Sequence, residues 1–108
     1  MPWVSLCQVD ELAEGRGKYV EIGRFQLAVF LDQGKPYVID NRCPHAGGSL
    51  SGGEVHDGHA VCPWHQWAFG LETGQLRGRP GVRIRVHKAR LHKRADKPDL
   101  VQAELPIL

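Results

Sequence analysis

The chain has 108 residues, 42% of them apolar and 24% charged, which suits one globular domain and excludes an extended disordered protein. No apolar run approaches the roughly 20 residues that span a bilayer, and Met1-Pro2-Trp3-Val4-Ser5 lacks the basic and apolar regions of a signal peptide, so a cytoplasmic location is expected. Net charge is +2 but unevenly placed, with five Lys/Arg against eight Asp/Glu over residues 1–60 and nine against four over 61–108, and no aromatics interleave the basic residues as a nucleic-acid surface would require.

In chain order, short β-type runs alternate with turns. Val4–Cys7 reads as a strand and Asp10–Glu14 as a helical turn or loop. Lys18–Ile22, Phe25–Leu31 and Pro36–Ile39 read as strands, the last two joined in a hairpin through Asp32-Gln33-Gly34-Lys35. Asn41–Gly53, rich in Gly, Ser and Pro, is loop. His59–Cys62 follows an Asp57-Gly58 turn as a strand, and Gln66–Phe69 is another. Val82–Val86 alternates apolar Val82, Ile84 and Val86 with Arg83 and Arg85, the pattern of one half-buried strand. Leu100–Glu104 is the last strand, while Leu91–Asp99 is left open between loop, partner contact and disordered stretch. Many short strands with little helix predict an all-β single domain over residues 1–108, a small antiparallel sandwich or barrel.

Three cysteines in a chain with no export signal are ligands, nucleophiles or core residues rather than a disulfide framework. Two of them lie in Cys43-Pro44-His45 and Cys62-Pro63-Trp64-His65, separated by sixteen residues. Each segment offers one soft thiolate and one imidazole, with a proline restricting the backbone between them. Brought side by side, they present two sulfurs and two nitrogens to one site. A binuclear iron–sulfide unit can take both thiolates on one iron and both imidazoles on the other. Two ferric ions, two sulfides and two thiolates sum to a neutral unit, whereas four thiolates give a dianion, so the imidazoles raise the reduction potential. Their second ring nitrogens also link redox state to protonation. The same donors form a zinc set. A nucleophilic cysteine with a histidine base would use only one of the two pairs.

The C-x-H-x16-C-x2-H spacing, the Cys-Pro-His-Ala-Gly-Gly and Cys-Pro-Trp-His segments and the later Glu72-Thr73-Gly74 resemble a Rieske-type [2Fe–2S] ferredoxin over most of the chain, from Trp3 to about Arg90. The likeness is greatest to stand-alone Rieske ferredoxins and to the small subunits of NAD(P)H-dependent nitrite reductases. It implies one [2Fe–2S] cluster on Cys43, His45, Cys62 and His65, in a Rieske fold whose cluster-binding subdomain, at about residues 41–81, is inserted into the β-framework. It also implies an electron carrier without catalytic residues or a small-molecule substrate. Its partners would be redox proteins, a reductase donor and an oxygenase or other acceptor, with His45 and His65 as the electron exit. The alternative is the small subunit of a nitrite reductase. A zinc-stabilised interaction module is the non-redox alternative.

Respiratory Rieske proteins carry an extra cysteine in each cluster loop, joined as a disulfide, and hydroxyl donors two and four residues beyond the second histidine. Here no such cysteines stand in the loops, and Trp67 and Phe69 occupy the donor positions. A low potential near the bottom of the Rieske range is therefore expected. The length leaves no room for an oxygenase's mononuclear iron domain, and no Gly-x-Gly-x-x-Gly nucleotide fingerprint is present.

Gly47 and Gly48 are expected beside the cluster, where glycine permits close backbone approach, or in an ordinary turn. Trp64 is read as a shield or a partner contact. Arg79-Pro80-Gly81 is read either as the family's proline loop covering the cluster, through Pro80, or as a simple turn. Arg77 and Arg79 are candidates for docking an acidic partner. Trp3, Trp67 and Phe69 are expected in the core, Cys7 as a buried strand residue, and His56, His59, His87 and His92 at the surface or in turns.

Overall fold

The computed structural model of the protein describes residues 1–44, 47–64 and 66–106. Strand β1 (Trp3–Gln8) leads through a 3₁₀ turn at Val9–Glu11 to β2 (Gly17–Ile22), β3 (Phe25–Asp32) and β4 (Lys35–Asp40). Five short strands follow: β5 (Glu54–His56), β6 (His59–Val61), β7 (Ala68–Gly70), β8 (Gln75–Leu76) and β9 (Arg79–Arg83). The chain continues through β10 (Val86–His87), β11 (Ala89–His92) and β12 (Leu100–Glu104). These make three antiparallel sheets, ordered β1-β12-β11, β10-β4-β3-β2 and β5-β6-β7-β8-β9. Among the described residues no helix is long and apolar enough to cross a membrane.

The second sheet is the middle layer, and β3 shows why. Its sequence, FQLAVFLD, is nearly continuous in apolar residues because both faces are covered. Leu27 and Val29 join Cys7, Val38, Val101 and Leu105 against the first sheet. Ala28 and Phe30 join Ile39, Leu50, Phe69 and Leu71 against the third. Burying a side chain the size of Phe30 completely stabilises by about 1.5–3 kcal/mol. The β3–β4 hairpin is the expected one, with Asp32 opposite Lys35 and a two-residue turn in which Gln33 and Gly34 both have positive φ. The Glu14 carboxylate accepts from the backbone N–H groups of Gln33 and Gly34, which pins that turn.

The chain leaves the second sheet after Asp40 and re-enters it at Val86, which pairs with Ile39. Everything between is an insertion, and its third sheet positions the cysteine loops. The all-β sandwich with an inserted subdomain is thus the observed architecture.

Three local expectations change, and one open segment takes a definite form. Val82–Val86 is not one strand, because β9 ends at Arg83 in the third sheet and β10 begins at Val86 in the second. The crossing falls at residues 84–85, where Ile84 N–H donates to Gly74 O and Arg85 O accepts from Asp40 N–H. Arg79-Pro80-Gly81 is part of β9, at the sheet's edge, rather than a turn; an edge tolerates the missing proline N–H. His87 is buried rather than exposed, because β10 turns it inward toward Asp40. Leu91–Asp99 supplies the end of β11 and then a bend tied down by Arg94 to Pro98 O and by the Lys93–Asp99 ion pair.

Candidate metal centre

Two loops reach one place from different sheets. The first leaves β4 and is closed at its neck by an Arg42–Ser49 bridge. Within it Cys43 N–H donates to Gly48 O, and Gly47 N–H to Cys43 O, both at 2.8 Å. The buried side chain of Asn41 organises the loop from below. Its Oδ1 accepts from Ser51 N–H at 2.8 Å and from the Ser49 hydroxyl at 3.1 Å, while its carbonyl accepts from Leu50 N–H. Sequence reasoning missed Asn41; an asparagine directly after an apolar strand, able to hydrogen-bond neighbouring backbone, was the available signal. The second loop joins β6 to β7 and is closed by Cys62 N–H donating to Trp67 O at 2.7 Å.

At the centre lie the two expected thiols. Cys43 and Cys62 are 1% and 0% exposed, neighbours in one core cluster, and not joined as a disulfide. Burial pushes the Cys62 thiol up; a hydrogen bond from Trp64 N–H opposes this, and the adjacent Cys43 thiol adds to it. A buried Cys62 sulfur whose ionisation is disfavoured becomes a thiolate only beside positive charge, as bound ferric iron would provide. The donor chemistry therefore fits an iron–sulfur unit. His45 and His65, the expected nitrogen donors, lie outside the described residues. Among the described residues no group of three metal-ligating side chains gathers.

The surrounding candidates sort clearly. A β-carbon on Gly48 would stand 3.2 Å from Cys62 Sγ and 3.3 Å from Trp64 Cγ, so this glycine lets the first loop reach the second. Gly47 takes φ +70° beside the Arg42 side chain. Trp64 is 57% exposed, with its ring against Gly48. Phe69 is fully buried and Trp67 half-buried against the same cluster. Trp3 is half-buried beneath the Arg90 guanidinium, 4.2 Å from its ring centre. Pro80 is exposed. Arg77 forms a 3.0 Å ion pair with Asp57, and its Nη2 lies 3.0 Å from His59 Nδ1. With the exposed Arg79 it borders a cleft of about 740 Å³ that Gln66 and Trp67 of the second loop also line. Cys7 lies in the other core, between the first two sheets. Burial, with a smaller contribution from Glu11, raises its thiol to about 11.

The Rieske [2Fe–2S] domain family matches residues 2–89. The 3-phenylpropionate/cinnamic acid dioxygenase ferredoxin subunit of Photorhabdus laumondii is 36% identical over 76 residues, which cover 69% of this chain and 71% of that protein. Human apoptosis-inducing factor 3 is 30% identical over 102 residues, 89% of this chain; the chain spans only 17% of that protein's length. Among solved structures, one assigned as an NADH-dependent nitrite reductase small subunit from Mycobacterium tuberculosis superposes with a TM-score of 0.83 at 26% identity, covering 98% of this chain and 97% of the other.

Proposed function

Because the chain belongs to the Rieske [2Fe–2S] domain family and carries its cluster, we propose that it is a one-electron carrier whose cluster is held by Cys43 and Cys62 on one iron and by His45 and His65 on the other. The observation that carries this reading is the pair of buried, unbridged thiols set side by side by two closed loops. When bound, the cluster supplies reversible uptake and release of a single electron. The chain's own residues shape its setting. Asn41 and the Cys43–Gly48 hydrogen bonds hold the first loop, Gly48 admits the close approach, and Trp64 N–H donates to the Cys62 sulfur. Where hydroxyl donors would stabilise the reduced state, Trp67 and Phe69 supply none. The centre is therefore a low-potential one, at roughly −150 mV. A clearly positive midpoint in a redox titration contradicts that.

The electron passes from a reductase to an oxygenase in a reducing compartment such as the cytoplasm, by analogy with the dioxygenase ferredoxin subunit. The near-complete mutual coverage with the Mycobacterium tuberculosis structure favours a second reading, a subunit held permanently by a larger oxidoreductase. Co-purification and size-exclusion from the native host separate the two. Electron paramagnetic resonance after dithionite reduction, with iron and acid-labile sulfide assays, tests the cluster and its ligand asymmetry together. Colourless protein containing zinc ends the reading.

A further inference from the structure

Three arginines line a cleft of about 300 Å³ beside the first loop: Arg24 from the β2–β3 turn, Arg42 after β4, and Arg85 between β9 and β10. Phe25, Gln26 and Asp40 complete the lining. Asp40 is the acid in the cleft, and its Oδ1 is engaged by His87 Nε2 at 2.8 Å. Among the described residues none of the three arginines has a carboxylate partner, and Arg24 instead lies over the Phe25 ring, 5.6 Å from its centre. Several cations elsewhere do have acid partners, as in Arg16–Glu54, Lys18–Glu11 and Arg77–Asp57. Three arginines against one aspartate leave the cleft with excess positive charge, and their planar donors suit carboxylates bidentately. The cleft also adjoins the loop that carries Cys43. Arg42 adjoins Cys43, and its Nε and Nη2 stand 3.6 and 3.7 Å from the position of a β-carbon on Gly47.

We propose that this cleft docks a carboxylate-rich segment of the electron-transfer partner, with Arg24, Arg42 and Arg85 as its receptors. The proposal rests on the electron-carrier reading for the partner's identity, not for the binding itself. The competing basic face holds Arg77, already neutralised by Asp57, and Arg79; it carries less unmatched charge.

The test uses the full chain with its cluster reconstituted and a fluorescein-labelled hexaglutamate peptide, followed by fluorescence anisotropy at low salt. The double variant R24E/R85E leaves Arg42, the neighbour of Cys43, untouched. It should weaken peptide binding at least tenfold with the visible spectrum preserved, and R77E/R79E should weaken it much less. No peptide binding by the wild type, or an R24E/R85E effect no larger than that of R77E/R79E, overturns the proposal. So does competition by inorganic phosphate at concentrations comparable to the peptide's, which would mark a small-anion site. A chain that fails to hold a cluster refutes the electron-carrier reading, while the peptide measurements still decide the cleft.

Discussion

Nε2 of His87 lies 2.8 Å from Oδ1 of Asp40, joining β10 to β4 where the inserted subdomain returns to the framework. The histidine side chain is only 4% exposed, and its ring meets that of Phe25 in a T-shaped contact with 6.0 Å between ring centres. Removing the acceptor leaves a buried ring nitrogen unsatisfied, a loss of about 1–3 kcal/mol. Asp40→Ala is therefore expected to destabilise the holoprotein by about 2 kcal/mol in urea denaturation, and Asp40→Asn, which keeps an acceptor, by less. Equal losses from both variants would show that the hydrogen bond is not what closes the seam.

The three cysteines divide by core. Cys43→Ala and Cys62→Ala should each abolish visible absorption and bound sulfide, because on the proposed assignment each removes one of two sulfur donors on the same iron. Cys7→Ala should retain both, since Cys7 belongs to the cluster between the first and second sheets. Iron and sulfide counts on the three purified variants check this; an intact cluster in either loop variant would overturn the ligand assignment.

Cys7 also gives stability an alkaline limit. Its thiol ionises near the ordinary value of 9.0 in the unfolded chain, and burial raises it to about 11 in the folded one. Between those values the unfolded state loses its proton first, so ionisation favours unfolding as pH rises. Stability present below pH 9 should decline progressively between about pH 9 and 11. Denaturation midpoints at pH 8 and 10 measure the decline, which should be smaller in Cys7→Ala. In the native state at pH 8 the Cys7 thiol should resist alkylation and become reactive on unfolding.

Gly48→Ala tests the close approach of the loops. The added carbon would stand 3.2 Å from Cys62 Sγ and 3.3 Å from Trp64 Cγ, tighter than ordinary contact, so the sulfur or the indole must give way. Lower iron incorporation, or a shifted electron paramagnetic resonance spectrum in the fraction that loads, is expected. A variant matching the wild type in both would show that the first loop has room to spare.

Local chemistry was legible in the sequence wherever a few adjacent residues suffice to impose it. The hairpin at Asp32–Lys35 follows from a turn whose Gly34 accepts positive φ, and Leu100–Glu104 reads as a strand with its observed bounds. The paired Cys-Pro-His and Cys-Pro-Trp-His segments likewise announce two sulfur-bearing tips. Strands without an apolar pattern were harder. β5, with Val55 alone between Glu54 and His56, forms because His59–Val61 folds back on it across the Asp57-Gly58 turn.

By itself, then, the sequence determined the class of fold, the cofactor class and the places where the chain must turn, because each depends on residue type and short-range spacing. Only the tertiary structure decided how distant segments meet. It broke the apparent strand at Val82–Val86 between two sheets, turned His87 inward onto Asp40, paired Arg77 with Asp57, and brought Arg24, Arg42 and Arg85 to the lining of one cleft. The physical reason is that burial and charge pairing are properties of the folded surface. A period-2 pattern shows that one face will be covered, but which sheet covers it is settled by the whole framework.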